Sequence, residues 1–249
     1  MKDLLIRSGI EFEGDFIKIP EWCKRIKFDI GLSDNAPHSQ RWLEKEDDLL
    51  IFGFEPNPFN MKKIKSSGST HFAKLDTKYI NYKIFLIECA LSDVKKIEYS
   101  QMYCTELDAG CSSLLKPRRF KVNGLIEVET WSLAHFMKYI PFHKIPYIDF
   151  VKTDCQGFDM RVIEGCGEYL KNVAIFTCEA DNWRYHKADN GIFKMTKFFK
   201  KNNFFRYRPS FNFLEKIKFE DIKTKDPTFI NKALVDKMLT SHVRAFQFW

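Results

Sequence analysis

The chain has 249 residues, is 45% hydrophobic and 29% charged, and carries a formal net charge of +7. That apolar content excludes an intrinsically disordered chain, and the length suits one α/β domain spanning 1–249 better than two. Its seven cysteines form no C-x-x-C pair, which argues against a disulfide framework and for a reducing, cytoplasmic compartment. The charge-interrupted apolar run at the N-terminus is too short for a signal peptide, and no stretch reaches the roughly 18–20 apolar residues of a membrane span. The positive charge fits polyanions, phosphorylated sugars and nucleotide-linked substrates. Its densest groups are KPRR at Lys116 to Arg119 and FKKNNFFRYR at Phe199 to Arg208, although short basic runs are mostly solvated surface.

In chain order, Ser8 to Trp22 reads as a hairpin or lid (1–22), closed by Pro20. Ile26 to Ile30 is a buried strand, Gly31 to Pro37 a tight polar loop, His38 to Glu46 a helix and Leu49 to Phe54 a second strand: a βαβ unit. Glu55 ends that second strand about two dozen residues after Gly31, where a carboxylate accepts hydrogen bonds from ribose hydroxyls. The loop lacks the further glycines of G-x-G-x-x-G, so an adenosine-bearing ligand other than NAD is expected. A helix over Phe59 to Ser66 and a strand over Lys83 to Cys89 follow, with Ala90 to Asp93 at the strand's exit. Alternating patterns over Val94 to Thr130 indicate a β excursion (94–130) whose Asp108 to Leu114 loop folds back over the pocket. A helix (Trp131 to Tyr139) leads to a strand (Tyr147 to Lys152) that delivers Thr153, Asp154 and Cys155 to its carboxyl end. Gly157 turns the chain into a helix (Phe158 to Leu170), and a strand from Val173 to Cys178 ends in Glu179. A helix over Gly191 to Asn202, strands at Phe204 to Pro209 and Phe211 to Ile217, a polar loop (Lys218 to Phe229), a helix (Ile230 to Leu239) and a closing strand (Val243 to Trp249) complete the reading.

Five segments in order, FDIG (Phe28 to Gly31), FEPNP (Phe54 to Pro58), ALSD (Ala90 to Asp93), SSL (Ser112 to Leu114) and IDFVKTDCQGFDMRVIEG (Ile148 to Gly165), resemble the FkbM family of S-adenosylmethionine-dependent O-methyltransferases. The resemblance covers Lys27 to Glu179. It implies a Rossmann-like class I methyltransferase fold, a seven-stranded mostly parallel sheet with an antiparallel last strand, here with the β excursion after the third strand. It also implies that the loop carrying Asp29, Gly31, Ser33 and Asn35 approaches the methionine end of S-adenosyl-L-methionine, that Glu55 takes the ribose hydroxyls, and that Ala90, Leu91 and Ser92 flank the adenine. Two departures stand out. The first loop reads GLSDNAP where relatives carry a small-residue run, and Gln156 follows Lys152 and Asp154 where relatives place a glutamate before Gly157.

Methyl transfer to a hydroxyl is an in-line displacement, so the protein must align the reacting atoms and take up the hydroxyl proton. Asp154, at a central strand end, is the first candidate for the base or for a ligand to a divalent cation such as magnesium; the alternative is a turn cap. Glu179 is expected either to share substrate or metal with Asp154 or to form a salt bridge. His186 is the histidine best placed to act as a base, and His38 is a candidate contact of cofactor or substrate. Ser112 and Ser113 are read as holding the cofactor carboxylate or a substrate hydroxyl, or as a turn. Gln156 is a candidate substrate amide, and Trp183 and Tyr185 are candidate stacking rings for a sugar. The expected partner is a sugar or glycoconjugate acceptor. The alternatives are RNA, methylated at a ribose 2′-hydroxyl, and a non-catalytic cofactor-binding module. A monomer or homodimer fits either case.

Overall fold

Every residue of LLIFGF at Leu49–Phe54 is buried, as in a strand covered on both faces of a parallel sheet. The computed structural model describes residues 1–66, 74–106, 109–180, 183–207 and 226–234, and it places this segment inside a seven-stranded sheet. Helix α1 (Lys2–Arg7) and a hairpin of β1 (Phe12–Glu13) and β2 (Phe16–Ile17) precede strand β3 (Arg25–Ile30), helix α2 (Pro37–Lys45), strand β4 (Leu49–Phe54), helix α3 (Pro58–Lys65) and strand β5 (Ile84–Ile87). Strands β6 (Ala90–Leu91), β7 (Glu98–Thr105) and β8 (Val122–Trp131) follow, then helix α4 (Leu133–Met137), strand β9 (Ile148–Thr153), helix α5 (Asp159–Glu164) and strand β10 (Val173–Cys178). Helix α6 (Ile192–Lys201) and strands β11 (Phe204–Arg206) and β12 (Thr228–Asn231) complete the described elements.

The large sheet runs β11-β12-β10-β9-β3-β4-β5. Pairing is parallel from β10 across to β5, whereas β12 is antiparallel to both of its neighbours. Strand order reverses between β3 and β9: β4 and β5 extend to one side, β10 to the other. An open α/β sheet has its ligand crevice at such a switch point, outside the carboxyl ends of the strands.

Local chemistry explains the first unit. Pro37 occupies the first turn of α2, where its missing N–H costs nothing, and Trp42 and Leu43 on the inner face are buried. The carboxylate of Asp29 lies under the start of that helix and accepts the Ser39 amide at 3.1 Å and hydroxyl at 2.7 Å, which the positive end of the helix favours. Phe28 packs on Phe52, Phe54 and Phe136 with ring centroids 5.9, 6.0 and 5.5 Å away, so α4 is fixed against β3 and β4. Edge-to-face pairs of this kind add roughly 0.5–1.5 kcal/mol each beyond their area burial.

Several expectations change. The N-terminal hairpin forms, but the Ile17 amide donates to Tyr139 O at 2.8 Å and Ile17 is buried in the core, so the hairpin is an anchored edge element. Ala90–Leu91 pairs with Thr130–Trp131 in a separate three-stranded sheet, β6-β8-β7. The expected helix from Ile230 begins instead as strand: Thr228, Phe229 and Ile230 are β-branched or aromatic and pair with β10. The same pairing takes Thr228 and Phe229 out of the expected polar loop. The strands expected at 211–217 and 243–249 lie outside the described residues, as do 235–239 of that helix. Among the described residues, no helix is long and apolar enough to cross a membrane.

Candidate active site

The carboxyl ends of β3, β4 and β9 and the exit of β5 enclose a pocket with ≈ 610 Å³ of space, its open mouth included. The walls are Gly31 and Ser33 after β3, Glu55 and Pro56 after β4, and Cys89, Ala90 and Leu91 after β5. Asp154, Cys155 and Gln156 close the pocket after β9, and Gly110, Ser112, Ser113 and Leu114 reach it from the β excursion. Gly31 permits the approach of the first and fourth walls: its φ is +81°, and an added Cβ would lie 2.1 Å from Asp154 O. Backbone bonds fix the strand ends, with Asp154 N donating to Ile30 O at 3.0 Å, Gly31 N to Phe54 O at 2.9 Å and Glu55 N to Ile87 O at 3.1 Å.

Glu55 is the buried carboxylate of this pocket. Oε2 accepts the Ser33 amide at 2.9 Å, and Oε1 accepts the Asn57 amide at 3.0 Å and Asn60 Nδ2 at 3.3 Å. Burial pushes its pKa up to about 7, against the lowering pull of those three donors and of the Lys152 charge. A carboxylate offers about four lone-pair sites. Oε2 therefore retains room for a further hydroxyl, while a second hydroxyl would have to displace the long Asn60 bond.

Asp154 is different. Its side chain is 39% exposed, with Oδ2 3.6 Å from Lys152 Nζ and Oδ1 accepting Gln156 Nε2 at 2.7 Å. Gln156 sits in the left-handed region at φ +52°, which costs a non-glycine residue energy unless its surroundings hold it. Here they do. Gln156 Oε1 accepts the Tyr185 hydroxyl at 2.7 Å, and its backbone oxygen accepts Ser113 Oγ at 2.8 Å. The buried Lys152 ammonium also donates to Gly31 O at 3.0 Å and stands 3.5 Å from Asp29. Burial opposes its charge, but Asp154 and Asp29 outweigh burial and hold the pKa above the ordinary lysine value. Beneath the turn, buried Asp159 accepts the Cys155 amide at 3.2 Å and Asn190 Nδ2 at 2.7 Å; burial, and then Asp154, raise its pKa to about 6.

A Methyltransferase FkbM domain matches residues 29–221 of this sequence. The chain belongs to the FkbM methyltransferase family. Every residue lining the pocket falls inside the matched segment. A methyltransferase FkbM from Methylobacillus flagellatus KT, known from a crystal structure at 2.20 Å, aligns with this chain at 9% identity and a TM-score of 0.44, over 90% of this chain and 47% of that one. This chain thus spans about half the length of that solved relative. No curated protein matches the sequence.

Within this FkbM domain, Gly31, Ser33, Glu55, Ala90, Leu91, Ser112, Ser113, Asp154 and Gln156 line one pocket. Asp29, Asn35, His38, Ser92, Glu179, Trp183, Tyr185 and His186 do not border it. Asp29 is turned to α2 and Lys152, the Asn35 backbone oxygen accepts Leu75 N at 2.9 Å, and the buried Ser92 hydroxyl donates to Asp93 at 3.0 Å. Tyr185 corrects the stacking expectation: it is 0% exposed, and its hydroxyl donates to Gln156 and to Cys111 O, so the ring is a brace. Trp183 is exposed, but Arg119 lies 4.4 Å from its ring centroid and Arg184 5.5 Å, so cations occupy the ring where a sugar was expected. Glu179 pairs with Arg184 at 3.2 Å; burial, and then Asp154 and Asp159, raise its pKa to about 8. His186 is exposed, and its amide donates to Lys116 O at 2.9 Å. No group of three or more His, Cys, Asp or Glu side chains able to hold a metal occurs among the described residues, so the divalent-cation site considered at Asp154 is not assembled there.

The sequence reading missed Asn57 and Asn60 as donors to Glu55, although the FEPNP segment that carries the family likeness contains the first. It also missed Asp159 and Asn190, whose pairing spans 31 residues of chain and left no local signal. Met102 and Phe158 add apolar wall.

Proposed function

We propose that this chain is an S-adenosylmethionine-dependent O-methyltransferase acting on a hydroxyl of a sugar or glycoconjugate in the cytoplasm. The observation that carries the reading is the presence of two carboxylates of opposite character, Glu55 and Asp154, on one pocket at the switch point of the sheet. The residues fit the cofactor. Glu55 Oε2 accepts a ribose hydroxyl, and Ala90, Leu91, Met102 and Phe158 offer an apolar surface to the adenine. Ser33 and Ser112 supply hydroxyls for the methionine end.

The cofactor supplies a methyl group on a sulfonium centre. With that group bound, the acceptor oxygen would take the methyl carbon as the sulfonium leaves, and the Asp154 carboxylate would receive the hydroxyl proton. Gln156, held by Tyr185 and Ser113, fixes the direction of one Asp154 oxygen, and Lys152 stands by the other. Positioning carries most of the rate enhancement, because the base needs only to receive a proton as the bond forms. Glu179, whose pKa is raised first by burial and then by Asp154 and Asp159, belongs to the same electrostatic group and is held by Arg184.

The test is calorimetric titration with S-adenosylmethionine, followed by a methyl-transfer assay against sugars, glycans and short RNAs with and without magnesium. Binding by the wild-type chain that is lost in Glu55→Ala, with transfer to a sugar hydroxyl, is expected. No binding, or undiminished binding in that variant, overturns the reading.

A further inference from the structure

The basic KPRR run is not free surface chain. Arg118 N donates to Arg184 O at 2.8 Å and His186 N to Lys116 O at 2.9 Å, with Pro117 opposite Tyr185 in an antiparallel bridge. Pro117 fits that place because the central pair of such a bridge exchanges no hydrogen bonds and so needs no N–H. Side chains alternate across a strand. Pro117 and Tyr185 are buried on the inner face, which leaves Lys116, Arg118, Arg184 and His186 on the outer one. Arg118 stands opposite Arg184, and Lys116 opposite His186.

Basic groups directly across a strand pair repel when both are charged, and that arrangement costs free energy without a counter-charge. The carboxylate of Glu179 answers Arg184. Among the described residues, Lys116, Arg118 and the nearby Arg119 and Lys187 pair with no carboxylate. The ribbon adjoins the site. Lys116 follows the pocket-lining Leu114 by two residues, at most about 8 Å between Cα atoms, and Tyr185 braces the pocket-lining Gln156.

We propose that this ribbon is an anion subsite that receives the phosphate or diphosphate of the acceptor, so that the substrate is a phosphorylated or nucleotide-linked sugar whose hydroxyl enters the pocket. This rests on the methyl-transfer reading of the pocket. Arginine forks bind phosphate bidentately, and the compact two-segment ribbon suits one phosphate group rather than an extended polyanion.

Calorimetry on the intact chain would compare glucose 1-phosphate, UDP-glucose, neutral glucose, inorganic phosphate and a short RNA at low and high salt. The two phosphorylated sugars are expected to bind about tenfold or more tightly than glucose and inorganic phosphate, with affinity falling as salt rises. Arg118→Ala/Arg119→Ala should remove about tenfold of that affinity. Lys24→Ala/Lys171→Ala, which deletes two charges before β3 and β10 at the opposite strand ends, should leave it unchanged. Equal binding of glucose and the phosphorylated sugars, equal loss in the control pair, or no loss in the arginine pair overturns the proposal. Inorganic phosphate binding as tightly as the sugars, or RNA binding more tightly than UDP-glucose through the same arginines, overturns the assigned class. S-adenosylhomocysteine titrated into the same samples reports separately on the methyl-transfer reading: without it binding, that reading fails, while the phosphate titration still decides the ribbon.

Discussion

The two halves of the pocket use the same functional group in opposite ways. On the β4 side, Glu55 is 4% exposed and held by three neutral N–H donors, and burial lifts its pKa to about 7. On the β9 side, Asp154 faces the solvent, between an ammonium and an amide. A carboxylate in a dry, donor-lined niche is suited to recognising hydroxyls and poorly placed to exchange protons. One at an open wall, oriented by a buried tyrosine through a glutamine, is suited to taking a proton from a substrate that comes and goes. Under the proposed function, the contrast would separate recognition from reaction within one site.

The largest expected effect breaks the reactive half. Asp154→Asn keeps the shape and removes the base, so kcat should fall by about 10²–10⁴-fold while cofactor affinity stays put. Wild-type turnover in that variant would dissolve the contrast. Glu55→Ala attacks the other half and should weaken S-adenosylmethionine binding by about a hundredfold by calorimetry, because a charge-assisted bond to ribose and the anchoring of the first loop are lost together.

A pH series sharpens the same distinction. The folded pKa of Glu55 is raised from 4.5 to about 7, so between those values the native state holds a proton that the unfolded chain has released. Its contribution to stability is therefore complete below pH 4.5 and is lost as pH rises towards 7, by roughly 3 kcal/mol. Cofactor affinity should move the other way, falling about tenfold per unit below pH 7 as the acceptor carboxylate protonates. Asp159 and Glu179 titrate in the same range, so the Glu55 share is the difference between wild type and Glu55→Gln in urea midpoints and binding constants. The smallest effect belongs to the brace. Tyr185→Phe strips the hydroxyl from Gln156 Oε1 and Cys111 O, and should cost about 1–3 kcal/mol of stability. It should lower kcat only a few-fold with KM unmoved, since Ser113 still holds the Gln156 backbone.

The sequence by itself determined the βαβ unit, the boundaries of β10, the β excursion and the prominence of Glu55. Each rests on signals local in the chain: unbroken apolar runs for strands buried on both faces, alternation for the half-exposed β7–β8 ribbon, and an acid at a strand end. Ser112 and Ser113 were legible as a pocket loop for the same reason. Only the tertiary structure decided which side chains at those strand ends turn inward. Asp29, next to the pocket-lining Ile30, is drawn down to α2 and Lys152, and Tyr185, in a polar loop, is buried under Gln156. It also decided that Lys116 to Arg118 lies against Arg184 to His186, a pairing across nearly seventy residues of chain. Periodicity records which residues avoid water. It does not record which buried partners a polar group finds, because those partners come from strands and loops that are distant in sequence and meet only when the sheet closes.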